Sequence, residues 1–101
     1  MIRCPSCQKQ IDPVAFLNAC RSYWVDAGTM DVICPFCGAS IDAQITAGEI
    51  AAGFVYGAGA PHFSAVETTK VEGLRVAKTA KGLEVELGSE SWQIPNWAEK
   101  S

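Results

Sequence analysis

From Leu83 to Leu87 the chain alternates strictly, with Leu83, Val85 and Leu87 separated by Glu84 and Glu86. Successive side chains of a strand point to opposite faces, so this is the pattern of a strand with one buried face. Ala39 to Thr46 repeats it, with Ile41, Ala43 and Ile45 set against Asp42, Gln44 and Thr46. Between residues 13 and 24 the spacing changes. Phe16, Leu17, Cys20, Tyr23 and Trp24 recur at threes and fours, which predicts a helix with one apolar stripe from about Pro13 to about Trp24. Asp12 before Pro13 is a suitable start. A carboxylate at the N-cap accepts a free amide hydrogen, and proline at the first helical position lacks one. Gly28 is the expected stop.

Thr29 to Ile33 reads as a short strand. The stretch from Ala47 to Ala60 is rich in glycine, at 48, 53, 57 and 59. It is expected to be a connector with a short strand at Phe54, Val55 and Tyr56, since each glycine weakens a helix by roughly 1 kcal/mol relative to alanine. Strand character returns at His62 to Glu67 and Val71 to Thr79, with a bend at Gly73. A turn at Ala80, Lys81 and Gly82 then leads into the alternating strand, and Leu74 and Val76 supply the opposing apolar face of that hairpin. Ser91 to Ile94 adds a last short strand before Pro95, and Trp97 is expected to anchor the tail.

Composition changes this picture little. Eight basic residues stand against eleven acidic ones, for a formal charge of −3. Phosphate contacts dominate nucleic-acid affinity, so this balance disfavours such a partner. The one basic cluster, Arg75, Lys78 and Lys81, is interleaved with Glu72, Glu84 and Glu86. No segment approaches the roughly 20 apolar residues of a membrane-spanning helix. Met1 leads into a cysteine pair with no apolar leader between, so the expected location is the reducing cytoplasm, with no membrane partner.

The cysteines carry the chemistry. Four of the five fall in two matched C-P-x-C units, Cys4-Pro5-Ser6-Cys7 and Cys34-Pro35-Phe36-Cys37. A CxxC turn brings two sulfurs to one ion, and two such turns complete a tetrahedron. Pro5 and Pro35 pre-set the turns, and Gly38 follows the second unit where the chain often needs a positive φ. The first unit is followed by Gln8 instead. These residues predict metal ligation by Cys4, Cys7, Cys34 and Cys37. Four thiolates suit zinc or iron. One structural zinc is the expectation, and iron is the less favoured alternative. A sphere closed by four thiolates leaves no open position for a reacting water, which argues against metal catalysis.

The two knuckles resemble a zinc ribbon, in which cysteine turns carried on β-hairpins clamp one zinc, and Cys34-Pro35-Phe36-Cys37-Gly38 also resembles the second knuckle of rubredoxin. The resemblance spans about the first 45 residues. With the strand and helix pattern of the rest of the chain, the expectation is a small α+β protein in three parts: a Cys4 ribbon with an inserted helix at residues 1–46, a glycine-rich connector at 47–61, and an antiparallel hairpin or small sheet with a tail at 62–101. The resemblance places the ribbon alone in a known group. It also implies roles ranging from macromolecular binding to, for rubredoxins, electron transfer.

Other candidate groups are weaker. Cys20, on the apolar face, reads as a buried thiol. His62 has no partner at a recognisable catalytic spacing. Asp12, Asp26, Asp31 and Asp42 could form a carboxylate pair in space, but their spacing follows no template. The expected function is therefore a non-enzymatic, zinc-stabilised binding module whose partner is another protein or a second copy of itself. The alternatives are a nucleic-acid-associated ribbon factor and a rubredoxin-like electron carrier.

Overall fold

A computed structural model describes residues 1–96. Two very short strands come first, β1 (Ile2–Arg3) and β2 (Gln10–Ile11), paired antiparallel with Ile2 opposite Ile11. The helix α1 (Pro13–Asn18) follows. Then come β3 (Cys20–Trp24), β4 (Thr29–Ile33), β5 (Ser40–Thr46), β6 (Glu49–Tyr56) and β7 (His62–Lys70). These five form one antiparallel sheet in sequence order. The strands β8 (Leu74–Thr79), β9 (Gly82–Leu87) and β10 (Glu90–Pro95) form a second sheet in the order β10-β9-β8. The architecture is small α+β: one helix near the N-terminus, then antiparallel sheets. No helix among the described residues is long and apolar enough to cross a membrane.

The start of α1 is as expected. The Asp12 carboxylate accepts from the Val14 amide at 3.0 Å, and Pro13 takes the first helical position. The end is not. The helix stops at Asn18, and Cys20 to Trp24, expected to continue it, is a strand. Phe16 and Leu17 lie in the core, which needs only one turn of apolar stripe. The Ile33 amide then takes the Ala19 carbonyl at 3.3 Å and draws the chain against β4. Tyr23 and Trp24 favour extended backbone and separate to opposite faces there. Gly28 accordingly belongs to the β3–β4 turn, where its amide donates to the Trp24 carbonyl.

The glycine-rich stretch is a second correction. It holds an eight-residue strand, β6, bonded to β5 on one side and β7 on the other. Ile50 and Ala52 face the core, and Gly53 sits where the β6–β7 register shifts. A Cβ at Gly53 would overlap the Ser64 carbonyl oxygen, so the close approach of β7 demands glycine. Gly73 lies in the turn between β7 and β8, as the expected bend. Trp97 lies outside the described residues.

Both sheets and the helix contribute to one core. Met30, Val32, Ile41, Ala43, Ile45, Ile50 and Ala52 come from the first sheet. Leu74, Leu83, Val85 and Ile94 come from the second. Ile2, Ile11, Phe16 and Leu17 close it near the cysteines. Trp92 Nε1 donates to Asn18 Oδ1 at 2.7 Å, tying the second sheet to α1. The alternation read from 39–46 and 83–87 appears as β5 and β9, each with its apolar residues inward.

Candidate metal centre

Each cysteine unit caps a hairpin. The first lies between β1 and β2 and the second between β4 and β5, where Ile33 pairs with Ser40. The two turns follow one hydrogen-bond plan. The Cys4 amide donates to the Lys9 carbonyl at 3.0 Å, and the Gln8 amide donates back to the Cys4 carbonyl at 2.9 Å. In the second turn the Cys34 amide donates to the Ala39 carbonyl at 3.0 Å, and Gly38 donates to the Cys34 carbonyl at 2.9 Å. The plan requires a left-handed residue after the last cysteine. Gly38 supplies it at φ 74°, and Gln8 supplies it at φ 68° without being glycine. A non-glycine residue in that region costs roughly 1–2 kcal/mol, so something beyond the turn holds Gln8 there.

The four sulfurs form one compact group, all within 4.8 Å of one another. Cys4 and Cys37 sulfurs are 3.9 Å apart, and those of Cys7 and Cys34 are 3.8 Å apart. Sulfurs at the corners of a tetrahedron about 2.3 Å from a zinc ion lie about 3.8 Å from each other. The geometry therefore supports a single structural Zn2+ site and fits the zinc-ribbon-type motif. Backbone amides point at the sulfurs as a thiolate site needs. Ser6 and Cys7 amides donate to the Cys4 sulfur at 3.4 and 3.5 Å, and the Phe36 amide donates to the Cys34 sulfur at 3.4 Å.

Burial is graded across the group. Cys4 and Cys34 are buried, Cys7 is half-buried and Cys37 is exposed. Burial pushes the Cys4 thiol up to about 11, against the pull of the Cys7 and Ser6 amides. At Cys34 burial acts the same way, but the Cys37 and Phe36 amides and the neighbouring thiols outweigh it and draw the group down to about 7. Direct donation to sulfur favours a thiolate, which is the form that binds metal.

Above the turns Lys9 places its ammonium 5.4 Å from the centre of the Phe36 ring. Phe36 is exposed, so this contact links the two knuckles on the outside. Sequence marks Lys9 only as a basic residue that, with Arg3, flanks the first knuckle; its approach to Phe36 is visible in the structure alone. Arg3 pairs with Glu67 on β7 at 3.7 Å. The suspected basic cluster is dispersed. Arg75 stands opposite Glu86, and the odd spacing of 75 and 78 along β8 puts Arg75 and Lys78 on opposite faces.

Cys20 is not drawn into the group. It begins β3, its thiol donates to the Phe16 carbonyl at 3.5 Å, and burial, reinforced by the charge of Asp31, pushes it up to about 12. His62 is exposed at the start of β7, opposite Tyr56. Among the described residues the four cysteines are the one cluster of three or more cysteine, histidine or acidic ligand atoms. Of the four aspartates, Asp12 caps the helix and Asp26 lies in the β3–β4 turn, while Asp31 and Asp42 come together as direct partners across β4 and β5. Compared with protein-family models, curated proteins and solved structures, the chain matches none.

Proposed function

We propose that the chain is a non-enzymatic binding module in which Cys4, Cys7, Cys34 and Cys37 hold one structural zinc and the surrounding β surface engages another polypeptide. The observation that carries this reading is the sulfur geometry. Two turns from distant parts of the chain converge on a tetrahedron whose sphere four thiolates close, so the ion's role is to join hairpins rather than to activate water. Binding an ion that the unfolded chain cannot hold stabilises the fold directly. Thiolate ligation also suits a reducing compartment, the cytoplasm above all.

Two features support a polypeptide partner. The overall charge is −3, which works against phosphate binding. In the sheet β7 has β6 as its one ladder partner and lies at the end, with most of its nine residues exposed and only Glu67 and Thr69 engaged by the first residues of the chain. A free strand edge is a template for pairing with another chain or a second copy. A second reading, nucleic-acid binding, draws on one specific observation: exposed Phe36 with Lys9 against it, an aromatic and a cation together at the knuckle tips. Titration with random duplex and single-stranded DNA at about 0.15 M salt separates the two. Dissociation constants weaker than the micromolar range fit the polypeptide reading, and micromolar or tighter binding that falls with salt would replace it. A colourless protein with one equivalent of zinc fits the structural site, whereas a red, iron-containing protein would favour electron transfer.

A further inference from the structure

The strands at the ends of the two larger sheets are not equally free. On its outer side β3 meets the end of β10 through the Tyr23–Asn96 bridge. β8 has six residues and carries Arg75 and Lys78, side chains of the kind that blunt an edge. β7 is longer, at nine residues, and between His62 and Lys70 its only formal charge is Glu67. Val66, in its middle, is 60% exposed.

This edge has one irregularity. Ala52 pairs with Glu67 and Gly53 with Ala65, so Val66 is an extra residue on β7, a β-bulge. The bulge reverses the alternation along the strand. Beyond it, Glu67 meets Arg3 and the Thr69 hydroxyl donates to the Met1 carbonyl, both on the face that the first residues of the chain cover. Before it, Phe63 and Ala65 line a hollow on the other face, together with Thr68, Gln44 and Ala51. His62 and Ser64 therefore share a face with Glu67 and Thr69.

A regular extended strand cannot match such an edge along its length. Aligned with one half, it is one residue out of step with the other, and a slip of one residue exchanges the faces. A second β7 can match it. Laid antiparallel with bulge against bulge, Ala65 falls opposite Val66, Ser64 opposite Glu67, Phe63 opposite Thr68 and His62 opposite Thr69, each pair occurring twice by two-fold symmetry. Every pair then shares a face. Phe63 with Thr68 is an aromatic–β-branched pair, no like charges stand opposite, and the two exposed Val66 residues meet beside the axis.

We propose that β7 is a self-recognition edge: two copies of this chain pair antiparallel through β7, bulge against bulge, and join their five-stranded sheets into one. The proposal rests on the polypeptide-binding reading above and names the polypeptide as a second copy.

Sedimentation equilibrium of the full zinc-loaded chain, in a concentration series reaching the millimolar range, tests this. The expected result is a reversible rise from the 10.8 kDa chain mass to twice that value, with amide exchange slowing across residues 62–69 and not across β8. Substitutions at the exposed Val66 and Ser64 read the register. Val66→Lys brings two ammonium groups together beside the axis and should weaken association about tenfold, as two like-charge contacts do. Ser64→Glu sets a carboxylate opposite Glu67 of the other copy and should weaken it similarly, whereas Ser64→Lys sets an ammonium there and should not. A chain that stays monomeric throughout the series would overturn the proposal. So would a dimer indifferent to Val66→Lys, or one weakened equally by both Ser64 substitutions. Zinc content and amide dispersion are measured on every sample, and the parent chain's series decides the matter even where a variant fails to fold. A folded, zinc-loaded monomer refutes the second copy alone; the polypeptide reading falls instead to the salt-dependent DNA binding described above.

Discussion

The two cysteine knuckles are built to one plan and differ in how they meet it. The second has Gly38 in the left-handed position and an exposed Cys37, whereas the first has Gln8 in that position and a half-buried Cys7. Gly38 takes its φ at no steric cost. Gln8 takes the same conformation against its own preference, although its turn is flanked by strands of only two residues. The first knuckle has little sheet to hold it beyond the core contacts of Ile2 and Ile11, so the shared ion is expected to fix its shape. The second grows from β4 and β5, whose inward residues are already in the core. The comparison teaches that the sheet organises one half of the metal centre and the metal organises the other.

Removing the zinc should expose this difference most strongly. Structural zinc contributes on the order of 10 kcal/mol of apparent binding free energy. Chelation is expected to abolish hydrogen-exchange protection across residues 1–11 and to loosen the turn at 34–39. The β8–β9–β10 sheet, packed through Leu83, Val85 and Ile94, should keep its protection. Equal loss in both knuckles would break the comparison.

Single-ligand changes come next. Cys4→Ser and Cys37→Ser both remove one thiolate, but the first also places a hydroxyl where exposure is 0%. Cys4→Ser should therefore cost about 1–3 kcal/mol more in denaturant unfolding at fixed zinc. Cys20→Ala should leave the zinc content unchanged.

The left-handed position gives a reciprocal pair of smaller effects. Gly38→Ala should destabilise by about 1–2 kcal/mol, because φ 74° is unfavourable for any side chain. Gln8→Gly should stabilise by up to about 1 kcal/mol, since relief of strain exceeds the added entropy of the unfolded chain. Thermal unfolding of both variants with zinc in excess measures this, and destabilisation by Gln8→Gly would show that Gln8 is not strained.

The smallest effect lies away from the knuckles. The folded-state pKa of Asp42 is raised above its ordinary value of 3.8 by burial, and Asp31 adds to this while the Val55 amide opposes it. The folded protein then holds a proton that the unfolded chain releases. The stability linked to this group is present below the ordinary carboxylate pKa and is lost as pH rises through the folded value. Asp42→Asn keeps an acceptor for Val55 and does not ionise, so its stability should vary less with pH just above 3.8. Parallel pH profiles for the two proteins would contradict the raised value.

Much of this was legible in the sequence, for identifiable reasons. The four ligands were visible because CxxC spacing is itself a geometric requirement of the ion. β5 and β9 were visible because each has one wet face and one dry face. The far half of the expected helix was misleading because Cys20, Tyr23 and Trp24 fit a helical stripe and a strand equally well, and only the presence of β4 decides between them. β6 was hidden because its glycine answers a contact with Ser64, eleven residues ahead in a hairpin but invisible to local propensity. The Asp31–Asp42 pair was suspected without a partner assignment, since register between strands is not written in either strand alone.

X-ray absorption at the zinc edge of the purified chain tests the central claim most directly. The account predicts four sulfur neighbours at about 2.3 Å, in the parent protein and equally in Cys20→Ala. A shell with fewer than four sulfurs, with nitrogen or oxygen in the fourth position, or with a sulfur lost in Cys20→Ala would contradict it.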